Sequence, residues 1–155
     1  MTATDEDGEL RALEVLVGEW SMEPDFATGP SGEAGARVTF EWLAGRRFLV
    51  QRWSVPGPEA PDGIAVIGAD PSRPGGFVQH YFDSRGVARR YRMRLEQRVW
   101  RLWRDEPDES PLEFRQRFVG SIGEDGRVID GVWEICRDGE GFERDFGITY
   151  RKLDP

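Results

Sequence analysis

The chain has one histidine, three tyrosines and several arginines and glutamines set into alternating apolar runs, and these bound the chemistry it can do. Arg89 and Tyr91 lie two apart in one such run. Gln51, Gln116, Arg144 and Tyr150 take comparable places in three others. A guanidinium grips a carboxylate through two parallel hydrogen bonds, most strongly where water is excluded. Phenols and amides orient what is held. His80 is the lone imidazole. The leading reading is capture of a small apolar molecule that bears an acidic group. A second is acid–base work by a His80–Tyr91–Arg89 cluster, an isomerisation or cyclisation that needs no cofactor. The chain has no G-x-S-x-G, H-E-x-x-H, C-x-x-C or phosphate-loop motif. One histidine cannot build a multi-histidine metal site, so no metal and no cofactor are expected.

These side chains are positioned by strands. In the run 87–95, Val87, Arg89, Tyr91, Met93 and Leu95 share one face, and Ala88, Arg90, Arg92 and Arg94 share the other. The first set faces a core. Arg89 is costly there unless it meets a carboxylate, a carbonyl, water or a ligand. A two-residue loop at Glu96-Gln97 carries the same face to Trp100 and Leu102. On the other side Asp83-Ser84-Arg85-Gly86 is a turn, with Gly86 suited to positive φ. A four-residue loop there points Val78, His80 and Phe82 inward, which is the more apolar choice. A three-residue loop points Gln79 and Tyr81 inward, because a one-residue slip reverses every side chain.

Residues 1–8 read as disordered, and 9–155 as one domain. Within 9–17, Leu10, Leu13, Leu16 and Val17 fall at helical spacing, with Asp7 able to cap the helix. Beyond residue 20 the pattern is of strand length throughout, with Gly- and Pro-rich turns. About ten short antiparallel strands follow, each with one apolar face. The expected fold is all-β, an up-and-down antiparallel barrel wide enough for a small ligand, with a short N-terminal helix. Its inner face is mainly aromatic and aliphatic. The residues expected to bind ligand are His80, Arg89, Tyr91, Gln116, Arg144 and Gln51, together with Trp42, Trp53 and Trp100. The competing reading is an interior filled with indole and phenyl rings and no ligand.

Net charge is −8 and the isoelectric point about 4.8. An acidic chain is a poor partner for phosphate backbones, so nucleic acid is excluded. The arginine cluster 89–104 reads as a solvated face matched to nearby carboxylates. No apolar run reaches membrane-spanning length, and the polar N-terminus is not a signal peptide. Cys136, the single cysteine, excludes an internal disulfide and reads as a structural thiol. A cytoplasmic protein is expected, with a small apolar or acidic molecule as partner, and with homodimerisation left open.

Five stretches carry a resemblance: HYFDSRGV (80–87), WRLWRD (100–105), QRF (116–118), GVWE (131–134) and DFGITYRK (145–152). Together they resemble a bacterial lipocalin-like family of unknown function, the DUF1579-type proteins, from about Leu10 to the C-terminus. More distantly the layout is similar to other calycin-type barrels, the fatty-acid-binding proteins and nitrobindins. The resemblance implies a G-x-W at the first strand and an arginine on the last, stacked at the closed end; Gly18, Trp20 and Arg151 fit those places. It also implies that Arg89-Arg90-Tyr91 matches the R-x-Y pair of fatty-acid-binding proteins. Nitrobindins use a histidine near the C-terminus to hold haem. This chain has none after His80, so a haem reading would need His80 as ligand.

Overall fold

A computed structural model describes residues 8–25, 35–57, 60–137, 139 and 141–154. The expected all-β barrel is found. Ten strands close into one antiparallel barrel: β1 (Gly18–Pro24), β2 (Arg37–Trp42), β3 (Leu49–Ser54), β4 (Gly63–Ala69), β5 (Phe77–Asp83), β6 (Ala88–Glu96), β7 (Val99–Arg104), β8 (Arg115–Ile122), β9 (Val128–Cys136) and β10 (Glu143–Lys152). Each strand pairs with its neighbours in sequence, and β1 also pairs with β10, so no edge is left open. Before β1 lies a short 3-10 helix, Arg11–Leu16, preceded by a helical turn at 8–10. Asp7 and most of 1–8 lie outside the described residues.

The helix seals one end. Leu10, Leu13 and Leu16 bury into the barrel core beside Trp20. The indole N–H of Trp20 donates to the Leu16 carbonyl at 2.8 Å. Glu14 accepts from Trp42 Nε1 at 2.8 Å and pairs with Arg46. Glu9 accepts from the Gly75 N–H at 2.9 Å. Alternation then fills the closed half with Val38, Phe40, Leu49, Ile67, Phe77 and Met93.

Three details of register differ from the sequence reading. The β6–β7 loop is Gln97-Arg98, both with positive φ, which matches the twist of paired strands. Leu95 therefore faces Trp100, two places from the expected pairing, and an even shift preserves every face. The β5–β6 loop is the three-residue one. Asp83 N–H donates to the Val87 carbonyl, and Gln79 pairs with Tyr91. That shift is odd. Val78, His80 and Phe82 therefore point outward, and Gln79 and Tyr81 point in. In β10 a bulge between Arg144 and Phe146 breaks alternation. Phe146, Ile148 and Tyr150 face inward as expected, but Arg144 turns out.

Among the described residues, no helix is long and apolar enough to cross a membrane.

Candidate functional site

The end opposite the helix opens into a cavity of about 550 Å³. A run of aromatic contacts leads from its mouth to its floor. Trp53 stacks on Tyr81 at 5.3 Å, and the Trp53 N–H donates to the Pro61 carbonyl. Tyr81 meets Tyr91 edge-on at 6.0 Å, and Tyr91 meets Trp133 at 5.6 Å. Trp133 lies against Phe118, and Phe118 against Trp100, at 5.1 and 5.0 Å. Trp100 and Tyr150 form the floor, with Phe40 packed behind Trp100. Trp100 Nε1 is buried and has no hydrogen-bond partner among the described residues. The inward positions of the closed half are apolar, and those lining the cavity add glutamines and an arginine to the aromatic rings.

Arg89, Tyr91, Gln51, Gln116, Trp53 and Trp100 all line the cavity. Arg89 is half-buried near the mouth, with its guanidinium carbon 5.6 Å from the Phe114 ring centre. Arg137 approaches the same ring at 5.7 Å. Neither forms an ion pair among the described residues. Tyr91 Oη donates to Gln116 Oε1 at 2.8 Å, and burial pushes the Tyr91 phenol pKa up. Gln79 Nε2 donates to Gln51 Oε1 at 3.0 Å.

Four expected placements are corrected. His80 stands exposed on the outer wall, so the His80–Tyr91–Arg89 cluster does not form. No imidazole reaches the interior, and the cavity's phenols, amides, guanidinia, single thioether (Met22) and single carboxylate (Asp145) do not fit a histidine-held haem. Arg144, turned out by the bulge, pairs with Asp25 on the surface. Trp42 faces inward, but at the helix-covered end and away from the cavity. Arg151 is exposed and paired to Glu23 at 3.2 Å. The cation over the Trp20 ring is Lys152, with Nζ 5.6 Å from its centre. Gly18 makes that possible, since a Cβ there would lie 2.9 Å from Lys152 Cε.

Other residues at the site were not singled out from sequence. Arg85, in the β5–β6 turn, lines the mouth and binds Asp83. Asp83 also accepts from Tyr81 Oη at 2.6 Å. Burial alone would raise the Asp83 pKa. The hydrogen bonds from Arg85 and Tyr81 outweigh it and bring the pKa down to about 2. Burial and the Asp83 carboxylate push the Tyr81 phenol up. Arg104, read as part of a solvated face, is buried. It holds Asp108 through bonds of 2.8 and 2.9 Å. Asp108 also accepts from the Arg90 N–H at 2.7 Å, which ties the 105–114 loop to β6. The sequence pattern carried no sign of this burial, because the partner stands four residues on in a loop.

Among the described residues, no group of three or more His, Cys, Asp or Glu could hold a metal ion. No family model matches the chain. No curated protein matches it either. Among solved structures the chain is similar to Rv2717c from M. tuberculosis, described as a crystal structure, with a TM-score of 0.63 and 15% identity over 94% of this chain and 98% of that one. At that identity the likeness concerns the barrel fold alone.

Proposed function

We propose that this chain is a lipocalin-like, calycin-type barrel that binds a small apolar molecule carrying an acidic group. The single observation behind this is the pair Arg89 and Arg137, both set against Phe114 at the mouth of a largely aromatic cavity, with no carboxylate partner among the described residues. A cation on the rim of a greasy cavity attracts the charged end of an amphipathic acid, and the aromatic wall takes its body. The arginine is then neutralised by ligand instead of by protein. The DUF1579-type resemblance agrees with a binding barrel and adds no reaction. Capture of a metabolite acid suits an intracellular, cytoplasmic protein whose one thiol is buried.

The test is a titration of intrinsic tryptophan fluorescence with dodecanoate and with dodecanol. Both should bind. Arg89→Ala should weaken the acid by about tenfold to a hundredfold, the range for one lost charged hydrogen-bond partner, and the alcohol far less. Equal losses for the two, or no response to either, would refute the reading.

A further inference from the structure

The polar interior residues are not scattered. Gln51 on β3, Gln79 on β5, Tyr91 on β6 and Gln116 on β8 form a polar band on the cavity wall. Gln79 and Tyr91 are directly opposed cross-strand partners. Gln79 bonds Gln51, and Tyr91 bonds Gln116, so the four are linked in two pairs side by side. All four are at most 9% exposed. Burying amides in an aromatic barrel is unfavourable unless their hydrogen bonds are met, and leucine or methionine would fill the space without that cost.

Their hydrogen bonds are only half met by the protein. Gln51 Nε2, Gln79 Oε1 and Gln116 Nε2 bond no described residue. They are also not among the atoms sealed from solvent, where, among the described residues, only Trp100 Nε1 is left without a partner. They therefore border the cavity. Two amide NH₂ groups and one amide oxygen face the space the ligand would fill. None is charged, so the group they suit is a neutral one that mainly accepts. The carboxylate stays with the arginines at the rim.

We infer that the ligand carries a second polar group, a neutral carbonyl, held by the Gln51–Gln79 and Tyr91–Gln116 band while its acid meets Arg89. Tyr91 lies two residues from Arg89 on the same face of β6, and the Arg89 guanidinium acts on the Tyr91 hydroxyl directly, lowering its pKa against the larger effect of burial. The two sites therefore adjoin, and the carbonyl stands within a few bonds of the acid. A plain alkyl acid would displace water from the amides and return no hydrogen bond. This inference rests on the binding reading above and narrows it to oxo-acids.

The experiment compares dodecanoate with keto analogues that carry the carbonyl at successive positions from the acid, by calorimetry on the full chain. In the unmodified protein the best keto acid should bind about tenfold more tightly than dodecanoate, as expected for one or two neutral hydrogen bonds. Gln116→Met and Gln51→Met should each remove most of that preference, and dodecanoate itself should hold or gain. Arg89→Ala should weaken both acids together and leave the preference intact. Binding of both acids with equal affinity, or a preference that survives both methionine variants, overturns this inference and leaves the binding reading standing. Failure of every acid to bind removes both. Circular dichroism of each variant identifies any that fails to fold, and Gln116→Asn, which shortens the side chain but keeps the amide, then serves as the second test through partial loss of the preference.

Discussion

Lys152 holds its ammonium 5.6 Å from the centre of the buried Trp20 ring, with its stem laid across the bare α-carbon of Gly18. The neighbouring Arg151 points the other way and pairs with Glu23 on the surface. Strand alternation forces this: only one of two consecutive residues can face the closed end. Lys152→Met should therefore cost about 0.5–1 kcal/mol, the usual scale of such a contact. Arg151→Ala should cost less, since an exposed pair contributes little. Urea unfolding of the two variants decides it; a larger loss for Arg151 would reverse the assignment.

The Arg104–Asp108 pair ties the 105–114 loop to β6. Both side chains are almost fully buried, and the carboxylate also bonds the backbone of Arg90 and Ser110. The Arg104 guanidinium beside it holds the Asp108 pKa well below the usual carboxylate range. Removing one partner strands the other charge. Arg104→Ala should cost about 3–5 kcal/mol in denaturant unfolding. It should also open the 105–114 loop to proteolysis in the native state. A loss below about 1 kcal/mol, with the loop still resistant, would show the pair to be incidental.

Sequence reasoning succeeded where alternation ran unbroken and failed where one residue was gained or lost. Arg89, Tyr91, Met93 and Leu95 faced inward because β6 is regular. The Gln97-Arg98 turn was mislocated, yet the error spanned two residues and left every face right. At the Asp83–Gly86 turn the error spanned one residue and exchanged His80 for Gln79 and Tyr81. Composition argued for the wrong register, because Val78 and Phe82 are the more apolar pair. What decides it is local: Asp83 accepts from the Arg85 N–H at 2.9 Å and from the Tyr81 hydroxyl, so the carboxylate fixes the turn and draws Tyr81 to the inner side. The Arg144 bulge leaves no mark in a pattern of alternating residues. Asp25, which pairs with Arg144 and accepts from the Gly147 N–H at 3.0 Å, lies more than a hundred residues away.

Asp83 makes stability depend on pH in a defined window. Its folded pKa of about 2 lies below the ordinary 3.8, so the unfolded chain takes up the proton first as pH falls. The stabilisation is fully present above about pH 4 and is lost as pH drops through 2. Asp83→Asn removes the titration. The gap between unmodified protein and variant should narrow by about 2 kcal/mol between pH 5 and pH 2, read from urea midpoints. A gap that stays constant over that range would mean the carboxylate gains nothing on folding.

Gly63 sets the pose of Trp53 at the mouth. A Cβ there would sit 2.1 Å from the Trp53 ring and 2.7 Å from the Phe82 carbonyl oxygen, and the backbone oxygen cannot swing aside. Gly63→Ala should cost about 1–3 kcal/mol through overpacking and push Trp53 off its stack on Tyr81. The expected sign is a shift in tryptophan emission together with weaker ligand binding. Unchanged emission would show that the strand moves in place of the indole.

His80→Gln separates the binding barrel from the readings that need an interior imidazole. The side chain stands on the outer wall of β5, between Val66 and Arg90 on the neighbouring strands. The substitution exchanges one exposed polar group for another, and such changes usually fall within about 0.5 kcal/mol. Stability and dodecanoate affinity should both match the unmodified protein. Hemin added to the unmodified protein should give no spectrum that depends on His80. A large loss of acid binding in the variant, or a haem spectrum that disappears with it, would place the imidazole inside the barrel. It would restore the four-residue turn, return Gln79 and Tyr81 to the surface and remove Gln79 from the amide band, because one residue of register decides the facing of His80, Gln79 and Tyr81 together.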